Sequence, residues 1–154
     1  MAKIFSGMQP TGELHLGNYL GALRQWVKLV ETGEHDAIFC VVDAHALTVD
    51  YNPKDFPRRI DQTALAYLAG GLDPERCTLV VQSEVPEHFE LAWILSCVAP
   101  MGELGRMTQF KEKSDQHRQS VNAGLFTYPI LMAADILIYT VSYTHLTLPT
   151  ILRV

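Results

Sequence analysis

The sequence predicts an α/β fold in which crossover helices cover a parallel sheet. Two observations indicate this fold. Short apolar runs alternate with stretches of helical period over residues 1–100, and residues 37–42 are continuously apolar, as a strand buried on both faces requires. A length of 154 residues with 48% apolar residues is typical of one domain with a sizeable core, which argues against intrinsic disorder.

The first elements alternate strand, helix, strand and helix. Residues 4–8 predict the first strand and residues 37–42 the second. The helix between them ends at Gly33, and its apolar residues recur at three- and four-residue spacing: Leu16, Leu20, Leu23, Val27 and Val30. Asn52-Pro53 predicts the start of the next helix, whose apolar residues step towards Gly70: Phe56, Ile60, Ala64 and Leu68.

The second part of the chain predicts one more strand and two more helices. Residues 78–82 form the third strand, and Pro86 opens a helix with four apolar positions, Leu91, Ile94, Leu95 and Val98. Residues 110–120 are polar and predict a mobile surface loop, after which Tyr128-Pro129 starts the last helix. Trp26 and Trp93 are predicted to lie in the core. Residues 140–154 contain four threonines but no acidic residue or glycine, and could form a strand.

Charge and cysteine content exclude some function classes. A formal net charge of −5 disfavours a protein that binds nucleic acid over its whole surface. The three cysteines form no C-x-x-C pair, which argues against a metal site, and two of them lie in apolar context, which predicts buried thiols in a reducing compartment. Without an apolar leader or a run of about 18 apolar residues, we expect a cytoplasmic protein with no membrane partner.

The loop after the first strand has the features of a phosphate site. It lies where a parallel sheet binds its ligand and a helix begins, but contains neither G-x-G-x-x-G nor the P-loop motif. His15 and Asn18 share one face of the first helical turn, and Gly17 allows a ligand to approach closely. A histidine and an amide there can stabilise charge on a phosphoryl group. Alternatively, His15 is an ordinary polar residue at a helix start.

Five segments in order resemble the bacterial tryptophanyl-tRNA synthetases, which are class I enzymes. In residues 5–23 the family's H-I-G-H motif takes the form H-x-G-N, as His15-Leu16-Gly17-Asn18. The other four blocks are residues 39–48, 82–86, 107–113 and 127–137. The resemblance covers residues 3–139. It implies a Rossmann-like class I nucleotide-binding domain, here incomplete, and an ATP-dependent tryptophan–tRNA ligase as the function.

By this resemblance the first loop binds ATP and the catalytic residues surround the phosphates. The ATP-binding positions are Gln9, Pro10, Thr11, Gly17 and Asn18. His15 and Asn18 are implied to act during in-line attack of the tryptophan carboxylate on the α-phosphorus, with Mg²⁺ accompanying ATP. Lys113, in the polar loop, is implied to reach the phosphates as the site closes, whereas Lys111 is equally well explained as a solvated lysine.

The resemblance also implies a tryptophan slot closed by Asp135. The indole nitrogen is a donor only, so a buried carboxylate satisfies it. Further residues of the slot are implied by position: Phe5, Gly7, Gln9, Val42, His45, Tyr128 and Met132. From the residues alone, Asp135 is a solvent-facing helix carboxylate and Met132 a core residue. His45 is alternatively a structural histidine held by Asp43.

The chain also departs from the family. No lysine follows Lys113, so the K-M-S-K-S loop is missing, as is the helical anticodon domain. We therefore expect residues 1–139 to be the amino-terminal part of the catalytic domain, residues 140–154 to be non-native, and the chain alone to have little activity. The family implies tRNA(Trp) as a substrate and a homodimer as the assembly.

Other functions remain open at this point. A small nucleotidyltransferase of similar length also uses an H-x-G-H-like turn, but it does not explain residues 82–86 or 132–135. A non-catalytic tryptophan-binding module would bind tryptophan without forming an adenylate. Specificity for tyrosine within the same ligase class is a further alternative.

Overall fold

A parallel sheet of three strands forms the centre of the molecule, in a computed structural model that describes residues 2–107 and 122–141. The strands are β1 (Ala2–Met8), β2 (His35–Val41) and β3 (Thr78–Val81), adjacent in that order. Gly7 lies opposite Cys40, and Cys40 lies opposite Val80. The predicted α/β fold and all three strands are thus confirmed.

The helical segment between β1 and β2 has a changed register. It consists of α1 (Leu16–Asn18), a π-helical turn (Tyr19–Leu23) and α2 (Arg24–Thr32), and Gly33 ends it with φ of 68°. A π-helical turn adds one residue to a helix. The side chains before the turn are therefore rotated relative to the buried face of the helix that follows it. Leu16 and Leu20 are therefore 70% and 45% exposed, contrary to prediction, whereas Trp26 is buried as predicted.

Two helices connect β2 to β3. The short α3 (Asp43–Ala46) was not predicted, and α4 (Phe56–Ala69) begins after the predicted start, because the Asn52 side chain accepts from the amide of Lys54 within a turn. The buried face of α4 carries Thr63 and Tyr67, so the prediction that Leu68 faces the core is wrong.

The remaining helices pack beside the sheet. They are a 3₁₀ turn (Gln82–Glu84), α5 (Glu87–Ser96), α6 (Met101–Leu104) and α7 (Ala123–Ile138), and α5 packs along α7. The last helix starts before the predicted Tyr128-Pro129, because the side chain of Asn122 caps it at the amide of Leu125. Three apolar side chains of α5 or the residues just after it are exposed, contrary to prediction: Trp93, Ile94 and Val98.

Two apolar clusters cover the two faces of the sheet. One contains Met8, Trp26, Phe39 and Tyr67 among its buried members. The other, hereafter the second face, is built from Phe5, Ile38, Cys40 and Val42 with Tyr139 packed against them. Since neighbouring strand residues point to opposite faces, Met8 and Phe5 belong to different clusters.

Cysteine environments differ along the chain. Cys40 and Cys77 are buried and Cys97 is exposed, so the predicted burial holds for two of the three. Burial raises the pKa of both buried thiols, which keeps them protonated. Within residues 2–107 and 122–141, no helix has the length and apolar character needed to cross a membrane. The predicted loop at residues 110–120 and nearly all of the predicted strand in residues 140–154 lie outside the described residues.

Candidate functional site

The carboxylate of Asp135 lies at the centre of a buried polar cluster. The residue is 1% exposed, so the interpretation of a solvent-facing carboxylate is wrong. Its Oδ1 accepts from Nε2 of Gln82 at 2.8 Å and lies 2.6 Å from Nδ1 of His88. Its Oδ2 lies 2.8 Å from Nε2 of His45. Asp135 on α7 is thereby joined to the end of β3, to α5 and to α3.

Hydrogen-bond chemistry fixes the tautomers of the two histidines. An ionised carboxylate only accepts, so His88 donates from Nδ1 and His45 donates from Nε2. In neutral His88 the other nitrogen, Nε2, then accepts from the hydroxyl of Tyr139 at 2.9 Å. Tyr139, His88 and Asp135 therefore form one chain of donors that ends on the carboxylate.

By lone-pair count, the hydrogen bonds among the described residues leave one acceptor position of the carboxylate. A carboxylate has about four lone-pair positions, and three hydrogen bonds from the cluster use three of them. Among the described residues Oδ2 accepts from one donor, His45, so the remaining lone-pair position is on that oxygen. Asp135 can thus accept one more N–H donor within a buried site.

The cluster keeps Asp135 ionised although it is buried. Burial alone would raise the pKa of this carboxyl group, but the hydrogen bonds from His45 and His88 outweigh it and lower the pKa below its ordinary value. Burial also raises the pKa of Tyr139 to about 12, so its hydroxyl remains a donor to His88.

Apolar residues of the second face surround this carboxylate. The ring of Phe5 stacks on that of Tyr139 with 4.9 Å between centroids, and it lies 6.2 Å from the ring of His88. Val42 is fully buried in the same cluster. A methyl group added to Gly7 would overlap the carbonyl oxygen of Cys40, so the absence of a side chain there is a packing requirement.

The amino-acid end of the predicted slot comes from α3 and α7. The rings of His45 and Tyr128 meet edge to face at 6.4 Å, and both residues are buried. Met132 is half-buried and lies one helical turn before Asp135. The carboxylate that holds His45 is Asp135, not Asp43 as the alternative proposed. Asp43 instead accepts from the amide of Ser83 at 3.0 Å.

His15 and Asn18 cap the first helix reciprocally. Nδ1 of His15 accepts from the amide of Gly17 at 3.1 Å, and Oδ1 of Asn18 accepts from the amide of His15 at 3.1 Å. Because Nδ1 accepts, the neutral ring carries its proton on Nε2. His15 is exposed, so this N–H is available to a ligand at the helix start. A side chain at Gly17 would meet the imidazole at 2.9 Å.

The rest of the first loop is anchored to α4. Nη1 of Arg59 donates to the carbonyl oxygen of Thr11 at 2.7 Å. Pro10 is buried, whereas Gln9 and Thr11 are half-buried. The loop is therefore held by backbone contacts that leave parts of its side chains accessible.

A cavity of about 380 Å³ lies beside this loop, within the size range of ligand pockets. Its lining residues include His15, Asn18, Met8 and Tyr19, and within the described part of the chain none of the lining residues is a carboxylate. Asp135 is not among them, and it belongs with the second face rather than with Met8. That the His15 and Asn18 side chains face Asp135 across one cleft stays a prediction. Lys111 and Lys113 lie outside the described residues.

Three residues of the cluster were not predicted. Gln82 follows β3 directly, where parallel sheets bind ligands, and this position was a usable signal. The sequence carries no comparable signal for His88 and Tyr139, because only the packing of α5 on α7 brings them to Asp135. Oε1 of Gln82 is buried without a partner in the described part of the chain. Among the described residues there is also no group of three or more histidines, cysteines and carboxylates that could hold a metal ion.

Comparisons with known proteins identify the family of this chain. The family model "tRNA synthetases class I (W and Y)" matches residues 1–146. A tryptophan–tRNA ligase of Caldanaerobacter subterraneus is 55% identical over 143 residues, which are 93% of this chain and 43% of that protein.

Two solved structures of tryptophanyl-tRNA synthetases share the fold. The Campylobacter jejuni enzyme, complexed with ADP and tryptophan, has a TM-score of 0.81 and 39% identity over 87% of this chain and 41% of its own. The Mycoplasma pneumoniae enzyme has a TM-score of 0.82 and 38% identity, and the match covers 92% of this chain and 40% of that enzyme's chain. The chain belongs to the tryptophan and tyrosine (W and Y) family of class I tRNA synthetases.

Proposed function

We propose that this chain is the amino-terminal part of a tryptophan–tRNA ligase. The whole protein would activate L-tryptophan with ATP to tryptophanyl-adenylate and transfer it to tRNA(Trp). The chain spans about two fifths of the length of the relative described above, which is itself a tryptophan–tRNA ligase. One observation carries the proposal: the Asp135 carboxylate is buried beside the apolar second face and accepts three hydrogen bonds from described residues, so its lone pairs can accept one more N–H.

The open position suits an indole nitrogen. Indole has one N–H donor and no acceptor, so it fills that position without leaving a polar atom unpaired. A hydrogen bond to a charged acceptor contributes on the order of 1.5–3 kcal/mol, about one to two decades of affinity. Discrimination against tyrosine, whose hydroxyl also donates, then depends on the shape of the slot that Phe5, Gly7, Val42 and Met132 form.

The ATP half of the site uses the first loop. Nε2–H of His15 and the amide of Asn18 would stabilise charge on the phosphates while Gln9, Pro10, Thr11 and Gly17 hold the nucleotide. The tryptophan carboxylate displaces pyrophosphate in line, so no protein nucleophile takes part. Since the described residues that line the cavity beside His15 include no carboxylate, Mg²⁺ would enter with ATP and be held by phosphate oxygens and water.

Several further properties belong to the same proposal. Residues 1–139 would form part of the catalytic domain, Lys113 would reach the phosphates, and Gln9, His45 and Tyr128 would approach the ammonium group or ring edge of tryptophan. The whole protein would act in the cytoplasm as a homodimer. The exposed apolar side chains Trp93, Ile94 and Val98 leave a surface that a partner can cover.

Calorimetric titration of this 154-residue chain tests the proposal. We expect tryptophan to bind, tyrosine to bind at least tenfold more weakly, and an analogue with sulfur in place of the indole N–H to lose about one to two decades of affinity. Equal affinity for that analogue and tryptophan would contradict the indole contact. ATP binding without any tryptophan binding would favour the nucleotidyltransferase alternative. In the whole protein, tryptophan binding without adenylate formation would favour a non-catalytic module.

A further inference from the structure

Arg59 on α4 holds the backbone of the first loop. Its Nη1 donates to the carbonyl oxygen of Thr11 at 2.7 Å, across 48 residues of sequence, and Arg59 is half-buried. A hydrogen bond from a charged donor is shorter and stronger than one between neutral groups. In the described part of the chain, no other hydrogen bond joins residues 10–14 to another element. The bond from Arg59 is therefore the polar anchor of this segment.

The helix that carries Arg59 is itself fixed against the end of β1. Arg59, Thr63 and Tyr67 are spaced four residues apart and so share one face of α4. Thr63 and Tyr67 are buried, and the hydroxyl of Tyr67 accepts from the amide of Met8 at 2.8 Å. One face of α4 thus holds both the last residue of β1 and the third residue of the loop that follows it.

A short exposed segment separates this anchor from the helix start. Pro10, just before Thr11, is fully buried, whereas residues 12–13 are exposed. The reciprocal cap described above begins at His15. The residues proposed to bind ATP lie on both sides of the exposed segment. Their relative placement therefore depends on the anchor at Thr11 as well as on the cap.

Arg59 acts on the proposed ATP site through the loop backbone. It is not among the described residues that line the cavity beside His15, and its Nη1 is directed at a backbone carbonyl. Among the described residues, no carboxylate forms an ion pair with Arg59. Its positive charge is therefore a second way in which it could favour a triphosphate, and an experiment has to separate charge from position.

We propose that Arg59 is a positioning residue that holds Thr11 and thereby orders the ATP-binding loop before the nucleotide arrives. The part that concerns ATP rests on the proposed function. Without the anchor, residues 10–14 would become ordered only when ATP binds, and the conformational entropy lost in that step would weaken binding. A loop that is already held in place avoids this loss.

The test is the Arg59→Gln variant of the 154-residue chain, with Arg58→Gln as the matched control. A glutamine side chain is too short to reach Thr11, and Arg58 is an exposed neighbour whose replacement removes the same charge. Nuclear magnetic relaxation would measure the backbone order parameters of residues 11–14, and calorimetry the affinities for ATP and tryptophan. We expect R59Q to lower the order parameters from about 0.85 towards about 0.6 and to weaken ATP binding about tenfold, with tryptophan binding unchanged. R58Q should change none of the three.

The Arg59→Lys variant separates position from charge. Lysine keeps the positive charge but lacks the planar guanidinium that directs Nη1 to the carbonyl oxygen of Thr11. We expect R59K to lower both the order parameters and the affinity for ATP. An R59K chain that binds ATP normally while residues 11–14 are mobile would show that charge acts by itself, and would overturn the positioning role.

Each other outcome decides one part of the proposal. Unchanged order parameters in R59Q overturn the anchor, and a mobile loop with unchanged ATP affinity overturns the role in ATP binding. Equal losses of ATP and tryptophan affinity would show a general loss of structure and overturn it too. If the unsubstituted chain binds no ATP, the ATP half of the proposed function fails, while the order parameters still decide the anchor. If R59Q does not fold, the same measurements on R59K decide both parts.

Discussion

Asp135→Asn replaces the buried carboxylate by an amide of the same shape. The retained oxygen can still accept from Gln82 and His88, but as a neutral acceptor. The new amide nitrogen is a donor and faces the Nε2–H of His45, which donates to Oδ2 in the unsubstituted chain. One hydrogen bond is therefore lost and two are weakened.

The structure sets the magnitude of the loss. A hydrogen bond to a charged group contributes about 1.5–3 kcal/mol and a neutral one about 0.5–1.5 kcal/mol. Losing one and weakening two costs about 4 kcal/mol, and removing the burial cost of the charge offsets about half of that. The net loss of about 2 kcal/mol lowers the melting temperature by roughly 4–8 °C in a chain of this length.

Tryptophan affinity responds to the same substitution. The donor that replaces Oδ2 opposes the indole N–H, so we expect affinity to fall about 10- to 100-fold in a calorimetric titration. Asp36→Asn is the control, because it removes the same charge at a side chain that is 50% exposed and only 3.9 Å from Lys3. Unchanged tryptophan affinity in D135N would remove Asp135 from the slot. Unchanged stability in urea unfolding would refute the reasoning about the cluster.

Three other predictions concern the same part of the molecule. His88→Phe removes the 2.6 Å donor of Asp135 and should lower the free energy of unfolding by about 2–3 kcal/mol, whereas His35→Phe, where Nδ1 has no partner among described residues, should cost less than about 1 kcal/mol. Because the pKa of Asp135 is lowered in the folded state, its stabilising effect is complete above the unfolded-state pKa of about 3.9 and is lost as pH falls through the lower folded-state value. The stability gap between the unsubstituted chain and D135N should therefore begin to shrink only below about pH 4 in urea titrations, and a gap that is already closing above that pH would contradict the lowered pKa. Gly7→Ala should destabilise the chain by about 2 kcal/mol or more because its methyl group overlaps the backbone of β2. Gly21→Ala should be neutral or stabilising by up to about 1 kcal/mol in thermal unfolding, because its methyl group would meet no described atom within 4 Å beyond its chain neighbours and its own helix backbone.

The amino-acid sequence determined the strands and one helix end. Residues 37–42 read as a buried strand because a continuous apolar run suits no exposed element, and Gly33 ends α2 because it adopts a left-handed conformation at little cost. The resemblance carried by the ordered motifs also predicted that Asp135 is buried, as the structure shows, whereas the residues alone place it in solvent. These are local properties of short segments or of a family pattern.

Tertiary structure decided which helix faces are buried and which groups meet at Asp135. The π-helical turn at Tyr19–Leu23 shifted the buried face of the first helix, a change of register that hydrophobic spacing does not encode. The donors to Asp135 lie 47, 53 and 90 residues away in sequence. Their convergence depends on how α3, α5 and α7 pack against the sheet, because a buried charge persists only where several elements bring donors to it at once.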